Sequence, residues 1–206
     1  TILRSIGVHL ATGDADMARQ TAATLLARAD LSASTWGAIA RALDDFTLCQ
    51  EAIEAADRAR RADPERRSYA LLLSTLLIEC RDVECKDPAR AAQVIAPFAS
   101  RPDAQVDELD RHAEALMIIG RYREGRASAE RAARLGPDNP RRGLWIAIAA
   151  AVNAERGVAA RHLAEVERLI EQAPSDDERA AIIASLEPWY SQARAVAAPA
   201  RDEPPR

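Results

Sequence analysis

The chain of 206 residues is poor in most of what marks a sheet, a secreted scaffold or a membrane protein. Aromatic residues make up 4%, and no stretch alternates Val, Ile or Thr with polar residues, so nothing argues for a β-sheet. No apolar run reaches the roughly 18–20 residues that a membrane span requires. The longest candidates, residues 69–78 and 143–154, are shorter, and the second is mostly alanine. The N-terminal TILRSIGVHL lacks the basic region, long apolar core and small-residue cleavage site of a signal peptide. Thr1 fits both a removed initiator methionine and a cut from a longer protein. The chain has only 3 cysteines, an odd number that does not read as a disulfide framework. The expected setting is therefore cytoplasmic, with a periplasmic one left open.

Catalytic and metal-binding patterns are missing as well. There is no glycine-rich phosphate loop, no nucleophile elbow and no pair of carboxylates at catalytic spacing. Asp44-Asp45 and Asp176-Asp177 fall at helix ends, where acidic residues serve turns and the N-terminal dipole. His9, His112 and His162 stand singly on helical stretches without metal spacing. His112 falls on a core-type position, so a hydrogen-bonded packing role is expected. Cys80 and Cys85 flank one loop; a bridge between them is conceivable, but two ordinary thiols are the expectation. The reading is a protein that is not an enzyme and uses no cofactor and no metal. A net charge of -4 gives the chain as a whole no electrostatic case for nucleic acid or an anionic membrane.

What the chain does have is alanine, more than a fifth of its residues, spaced for helices. Residues 33–66 are the clearest unit. Trp36 opens an apolar-periodic run, Ala52 follows sixteen residues later, Ala59 seven after that and Pro64 five after that. Two antiparallel helices approach to about 8–10 Å where the crossing side chains are small, which is what alanines at helical spacing supply. Leu109 precedes Pro137 by the same 28 residues that separate Trp36 from Pro64. Between them come Ala113 and Leu116, a turn at Gly120-Arg121-Tyr122, and Ala129 and Ala132 facing back.

These offsets resemble the tetratricopeptide repeat. The resemblance implies an all-α fold, a right-handed α-solenoid of about five helix pairs with a C-terminal capping helix. The expected units are 1–31, 33–65, 66–103, 106–138 and 139–173, with a cap over 175–195 and a disordered tail over 196–206. In the first unit Leu3, Ile6 and Leu10 share a face and Asp14 caps a second helix bearing Ala18, Ala22 and Leu25. In the second, Ser32 or Ser34 caps the first helix, and Thr47 with Gln50 forms a capping box for the next. The third is lengthened by CRDVECKD before Asp87-Pro88 starts a helix, and Pro97 is expected to kink or shorten that helix. It resembles a tetratricopeptide variant with an expanded Cys/Asp/Arg-rich loop. In the fifth, Asn139-Pro140 starts a helix, Arg156-Gly157 makes the turn, and 158–172 is helical. Ser175 with Glu178 opens the cap, which Pro188 interrupts.

In the family the first helix of each pair lines a concave groove. The resemblance thus implies a protein-binding surface of Arg41, Leu71, Leu72, Thr75, Asp107, Asp110, Arg111, Glu114 and Trp145, accessible to solvent. The carboxylate clamp of some co-chaperones is absent, since Gly37, Ala38, Arg41, Ser68 and Leu72 stand at its positions. An apolar patch beside an Asp/Arg/Glu cluster suits an amphipathic helix or extended peptide of another protein, with no nucleic acid and no membrane insertion. The function implied is an adaptor or scaffold. The alternatives are a structural subunit or assembly factor of a larger complex, and a regulatory domain of a longer protein.

Overall fold

The computed structural model describes residues 2–136 and 139–197. Among them there are twelve α-helices, one short 3-10 turn and no strand. The helices fall into two compact units, divided between Pro102 and Asp103, close to an expected repeat boundary.

The first unit holds α1 (Ile2–Ala11), α2 (Ala15–Leu26), α3 (Ala33–Asp45), α4 (Cys49–Ala62), α5 (Arg67–Glu79) and α6 (Pro88–Ala99). They pack as the pairs α1/α2, α3/α4 and α5/α6, with α4 also against α2 and α5. Small residues make the crossings: Ala18, Ala22, Ala52 and Ala59 are all fully buried. A Cβ on Gly37 would stand 2.8 Å from the Tyr69 ring, so α3 approaches α5 closely there. The caps follow the sequence. Asp14, Ser32 and Asp87 each accept a hydrogen bond from a backbone N–H in the first turn of α2, α3 and α6. Pro97 does not shorten α6, which continues through it to Ala99 because the proline sits in the last turn.

The second unit holds α7 (Val106–Ile118), α8 (Tyr122–Leu135), α9 (Pro140–Val152), α10 (Arg156–Glu171), α11 (Asp176–Leu186) and α12 (Trp189–Ala197). The pairs are α7/α8 and α9/α10, with α8 packed on α9. Ala113, Ala129 and Ala132 are fully buried. Asn139 and Ser175 cap α9 and α11 as expected. The cap is two helices, not one, because the chain is extended at Glu187 before Pro188. Residues 196 and 197 belong to α12, not to a tail; the rest of the expected tail, 198–206, and Pro137-Asp138 lie outside the described residues.

Three local expectations are corrected. Thr47 and Gln50 make no capping box: Leu48 is the N-cap of α4, without a side-chain bond, and Thr47 takes φ 61°. Arg156-Gly157 is not the turn, since α10 already begins at Arg156 and the chain reverses at Ala154, φ 62°. The reason is common to both. Gly13, Thr47, Gly120 and Ala154 all have positive φ at the turn inside a pair, and 13 to 47 and 120 to 154 are each 34 residues. The turn demands a left-handed residue at one repeat position whatever side chain stands there.

The third correction concerns cysteine. The disulfide is neither absent nor Cys80–Cys85; it joins Cys49 to Cys80, with Cα atoms 5.9 Å apart. Cys49 opens α4 and Cys80 closes α5, and in antiparallel neighbours the start of one helix meets the end of the other. Both cysteines are buried. Cys85 is free on the 3-10 turn Val83–Cys85, its thiol donating to Asp82 Oδ2 at 3.5 Å. Burial, then that hydrogen bond, holds the thiol above its ordinary pKa.

Candidate protein-binding surface

The residues expected to face a partner fall into both units, and the two sets behave differently. In the first unit Arg41 is exposed on α3, its guanidinium 3.4 Å from the Gly37 carbonyl. Leu71, Leu72 and Thr75 are half-buried on α5. Leu71 leans on the core formed by Ala70, Ile95 and Phe98. Leu72 and Thr75 have no place in that core. The first unit therefore keeps a polar and apolar surface on consecutive first helices of its pairs.

In the second unit, only Asp107 is exposed. Asp110 accepts two hydrogen bonds from the Arg142 guanidinium, at 2.7 and 2.8 Å, and one from the Asn139 amide at 3.2 Å. Arg142 is itself 6% exposed, so this fork joins α7 to α9 in a desolvated setting. Arg111 and Glu114 pair at 2.8 Å, and Arg141 reaches the other Glu114 oxygen at 3.8 Å. Glu114 is buried. Trp145 is 1% exposed and packs with Leu144, Ile148, Leu163, Val166 and Trp189. The expectation of solvent access is thus corrected at Glu114 and Trp145. Arg111 of α7 and Arg141 of α9 flank the first as ion-pair partners, and Trp189 of α12 packs on the second.

One further ion-pair site went unread in the sequence. Asp57 is 6% exposed and lies within 2.5 to 3.4 Å of Arg60, Arg61 and Arg90, tying α4 to α6. Its i+3 and i+4 arginines were the visible signal. His112 Nδ1 lies 3.0 Å from Ser128 Oγ across the α7/α8 crossing, matching the packing role expected of it. Desolvation, then the Arg121 charge, lowers the His112 pKa, so the ring is neutral at pH 7. Among the described residues no cluster of His, Cys, Asp and Glu is placed to hold a metal, and no helix is long and apolar enough to cross a membrane.

Solved structures resemble this arrangement of helix pairs. MamA, residues 41 to the end, from Desulfovibrio magneticus RS-1 matches with a TM-score of 0.62 at 14% identity, over 84% of this chain and 96% of that one. A thermophilic TPR protein of Thermus thermophilus matches with a TM-score of 0.53 at 19% identity, over 90% and 96%. The fold is that of a tetratricopeptide-repeat protein. PilF of Pseudomonas aeruginosa has it too, with a TM-score of 0.55 at 19% identity, over 89% of this chain and 80% of its own. No family model matches the sequence, and no curated protein matches it either. The likeness to tetratricopeptide proteins therefore rests on helix pairing, alanine crossings and turn geometry.

Proposed function

We propose that the chain is a non-catalytic adaptor that binds a peptide or helix of another protein on the first helices of its pairs. The observation that supports this most is the α3/α5 surface, where Arg41 is exposed and Leu72 and Thr75 are half-buried. The equivalent positions on α7 and α9 are largely taken up by internal ion pairs and core. A half-buried leucine on α5 and an exposed guanidinium on α3 supply an apolar anchor and a charge-assisted hydrogen-bond donor for a ligand. The compartment proposed is an oxidising one rather than the reducing cytosol, because a disulfide such as Cys49–Cys80 persists where thiols are not kept reduced.

The test is an affinity pull-down from the native cell with partners quantified by mass spectrometry, comparing wild type with Arg41→Glu combined with Leu72→Ser. The double variant is expected to keep its fold by circular dichroism and to lose a specific partner. Full retention of every partner would refute the surface and give the lead to a structural-subunit role.

A further inference from the structure

The Asp57 carboxylate is outnumbered by cations. On α7 and α9 one guanidinium holds one carboxylate, Arg142 forking onto Asp110. Asp57, only 6% exposed on α4, meets three guanidiniums. Arg60 lies 3.4 Å and Arg90 3.3 Å from one of its oxygens, and Arg61 lies 2.5 Å from the other. Arg60 and Arg61 stand in the last turn of α4, and Arg90 stands in the first turn of α6. Among the described residues no other carboxylate pairs with any of the three. Asp87 is engaged as the cap of α6, where it accepts from the backbone N–H of Arg90.

The donors here exceed what Asp57 can accept. Each guanidinium carries a planar set of N–H donors, whereas a carboxylate offers only its pair of oxygens. The Arg60 Nε–H is buried and has no hydrogen-bond partner, although a buried donor ordinarily finds one. The Arg61 side chain is 72% exposed and that of Arg90 39%, so a ligand can reach their remaining donors. Arg90 also lines an open cleft of about 480 Å³, with half-buried Ile53, buried Leu77 and exposed Asp82, Glu84 and Lys86. Ile53 and Asp57 are one turn apart on α4, so the cleft and the arginine cluster adjoin. An oxyanion at the arginines can thus carry a short uncharged body into the cleft. Asp82 and Glu84 repel a second anionic group there, which disfavours a nucleic-acid strand with its repeating phosphates.

We propose that Arg60, Arg61 and Arg90 form an anion site for a phosphate monoester whose carbon body lies in the cleft beside Ile53 and Leu77. Phosphate presents more acceptor oxygens than a carboxylate and matches the same guanidinium forks. A phosphorylated side chain and a small phosphorylated molecule both offer this chemistry, and the test separates them. The site lies on α4 and α6, the second helices of their pairs, and not on the α3/α5 surface. It therefore goes beyond the adaptor reading, and the two fail separately.

The probes are inorganic phosphate, glycerol 3-phosphate and N-acetyl-phosphoserine amide, titrated calorimetrically into the full chain at constant ionic strength. Both esters are expected to bind more tightly than inorganic phosphate. The phosphoserine derivative as the tighter ester assigns the site to a phosphorylated side chain, and glycerol 3-phosphate as the tighter one assigns it to a small molecule. Arg61→Gln and Arg90→Gln are each expected to weaken both esters about tenfold, the worth of one charge-assisted hydrogen bond. Arg19→Gln, on α2 and outside the cluster, is expected to change nothing. Asp57→Asn removes the internal competitor and is expected to tighten binding; should it fail to fold, the two glutamine variants decide. No saturable binding of either ester, affinity indifferent to Arg61→Gln and Arg90→Gln, or an equal loss in Arg19→Gln would overturn the proposal. So would inorganic phosphate binding as tightly as both esters.

Discussion

Reducing the Cys49–Cys80 disulfide is the perturbation whose size the structure fixes best. The bridge spans a sequence separation of 31, joining the start of α4 to the end of α5. Chain-entropy arithmetic for a loop of that length gives about 3.7 kcal/mol of stability through restriction of the unfolded state. For a chain of this size, each kcal/mol moves the melting temperature by about 2–4 °C. Reduction should therefore lower it by about 7–15 °C. Cys85 is the only other cysteine, so a Cys85→Ser background removes thiol exchange without touching the bridge. The assay is a thermal melt by circular dichroism in that background, with and without a phosphine reductant. Thiol titration of the denatured, unreduced protein should find none in the Cys85→Ser chain. Two titratable thiols there, or melting temperatures within about 2 °C of each other, would refute the pairing and the energetics together.

Other perturbations follow from the geometry. Ala154→Gly, and separately Thr47→Gly, should stabilise by about 0.5–1 kcal/mol, since each non-glycine side chain is held at positive φ, which costs about 1–2 kcal/mol; denaturant midpoints check this. Ala59→Arg should cost about 3 kcal/mol or more by burying a charge at a helix crossing with no exposed surface. An unchanged melting temperature would show the crossing to be misplaced. Combining Arg111→Glu with Glu114→Arg should destabilise by about 1–3 kcal/mol, because the new arginine faces Arg141 in a buried setting. Reversal by adding Arg141→Glu is the check. His112 is held neutral by burial, so its contribution to stability is full above the ordinary histidine value and is lost as pH falls through that value toward the folded one. Stability measured from pH 8 down to 5 should decline, and His112→Gln should flatten that decline.

The helix pairs were legible because alanine at a crossing leaves a signature in one dimension. Ala52, Ala59, Ala129 and Ala132 recur at helical spacing, and all four are fully buried. Caps were legible where a side chain makes the bond, as at Asp14, Ser32 and Asp87. Thr47 and Ala154 were missed because the requirement at that turn is a backbone angle, and neither side chain advertises it. The cysteine pairing was missed for another reason. Cys49 and Cys80 are 31 residues apart, and only the antiparallel packing of α4 on α5 brings them together. On the expected binding face, periodicity placed Trp145 on the right helix but says nothing of what covers it. That is decided by α12, more than forty residues later.

The scarcity of lysine, which in the sequence looks like codon bias combined with helix propensity, has a structural use. Lys86 is the only lysine, and arginines join elements that alanine-lined crossings alone leave loosely indexed. Arg58 donates to the Leu26 and Arg28 carbonyls at the end of α2 and to Glu54 at 2.6 Å, while lying 4.9 Å over the Trp36 ring. Arg126 joins Glu130 of α8 to Glu155 ahead of α10, at 2.7 and 2.8 Å. Arg142 holds Asp110 bidentately across α7 and α9. Each of these uses several donors of one planar fork at once, which an ammonium group cannot do with the same geometry. Alanine contacts are small and nearly alike at every repeat, so they permit close approach without fixing register. A directional fork between one helix and another supplies that register. In the second unit the same forks occupy positions that the first unit leaves open at Arg41 and Leu72, and for this reason the adaptor surface is assigned to the α3/α5 face.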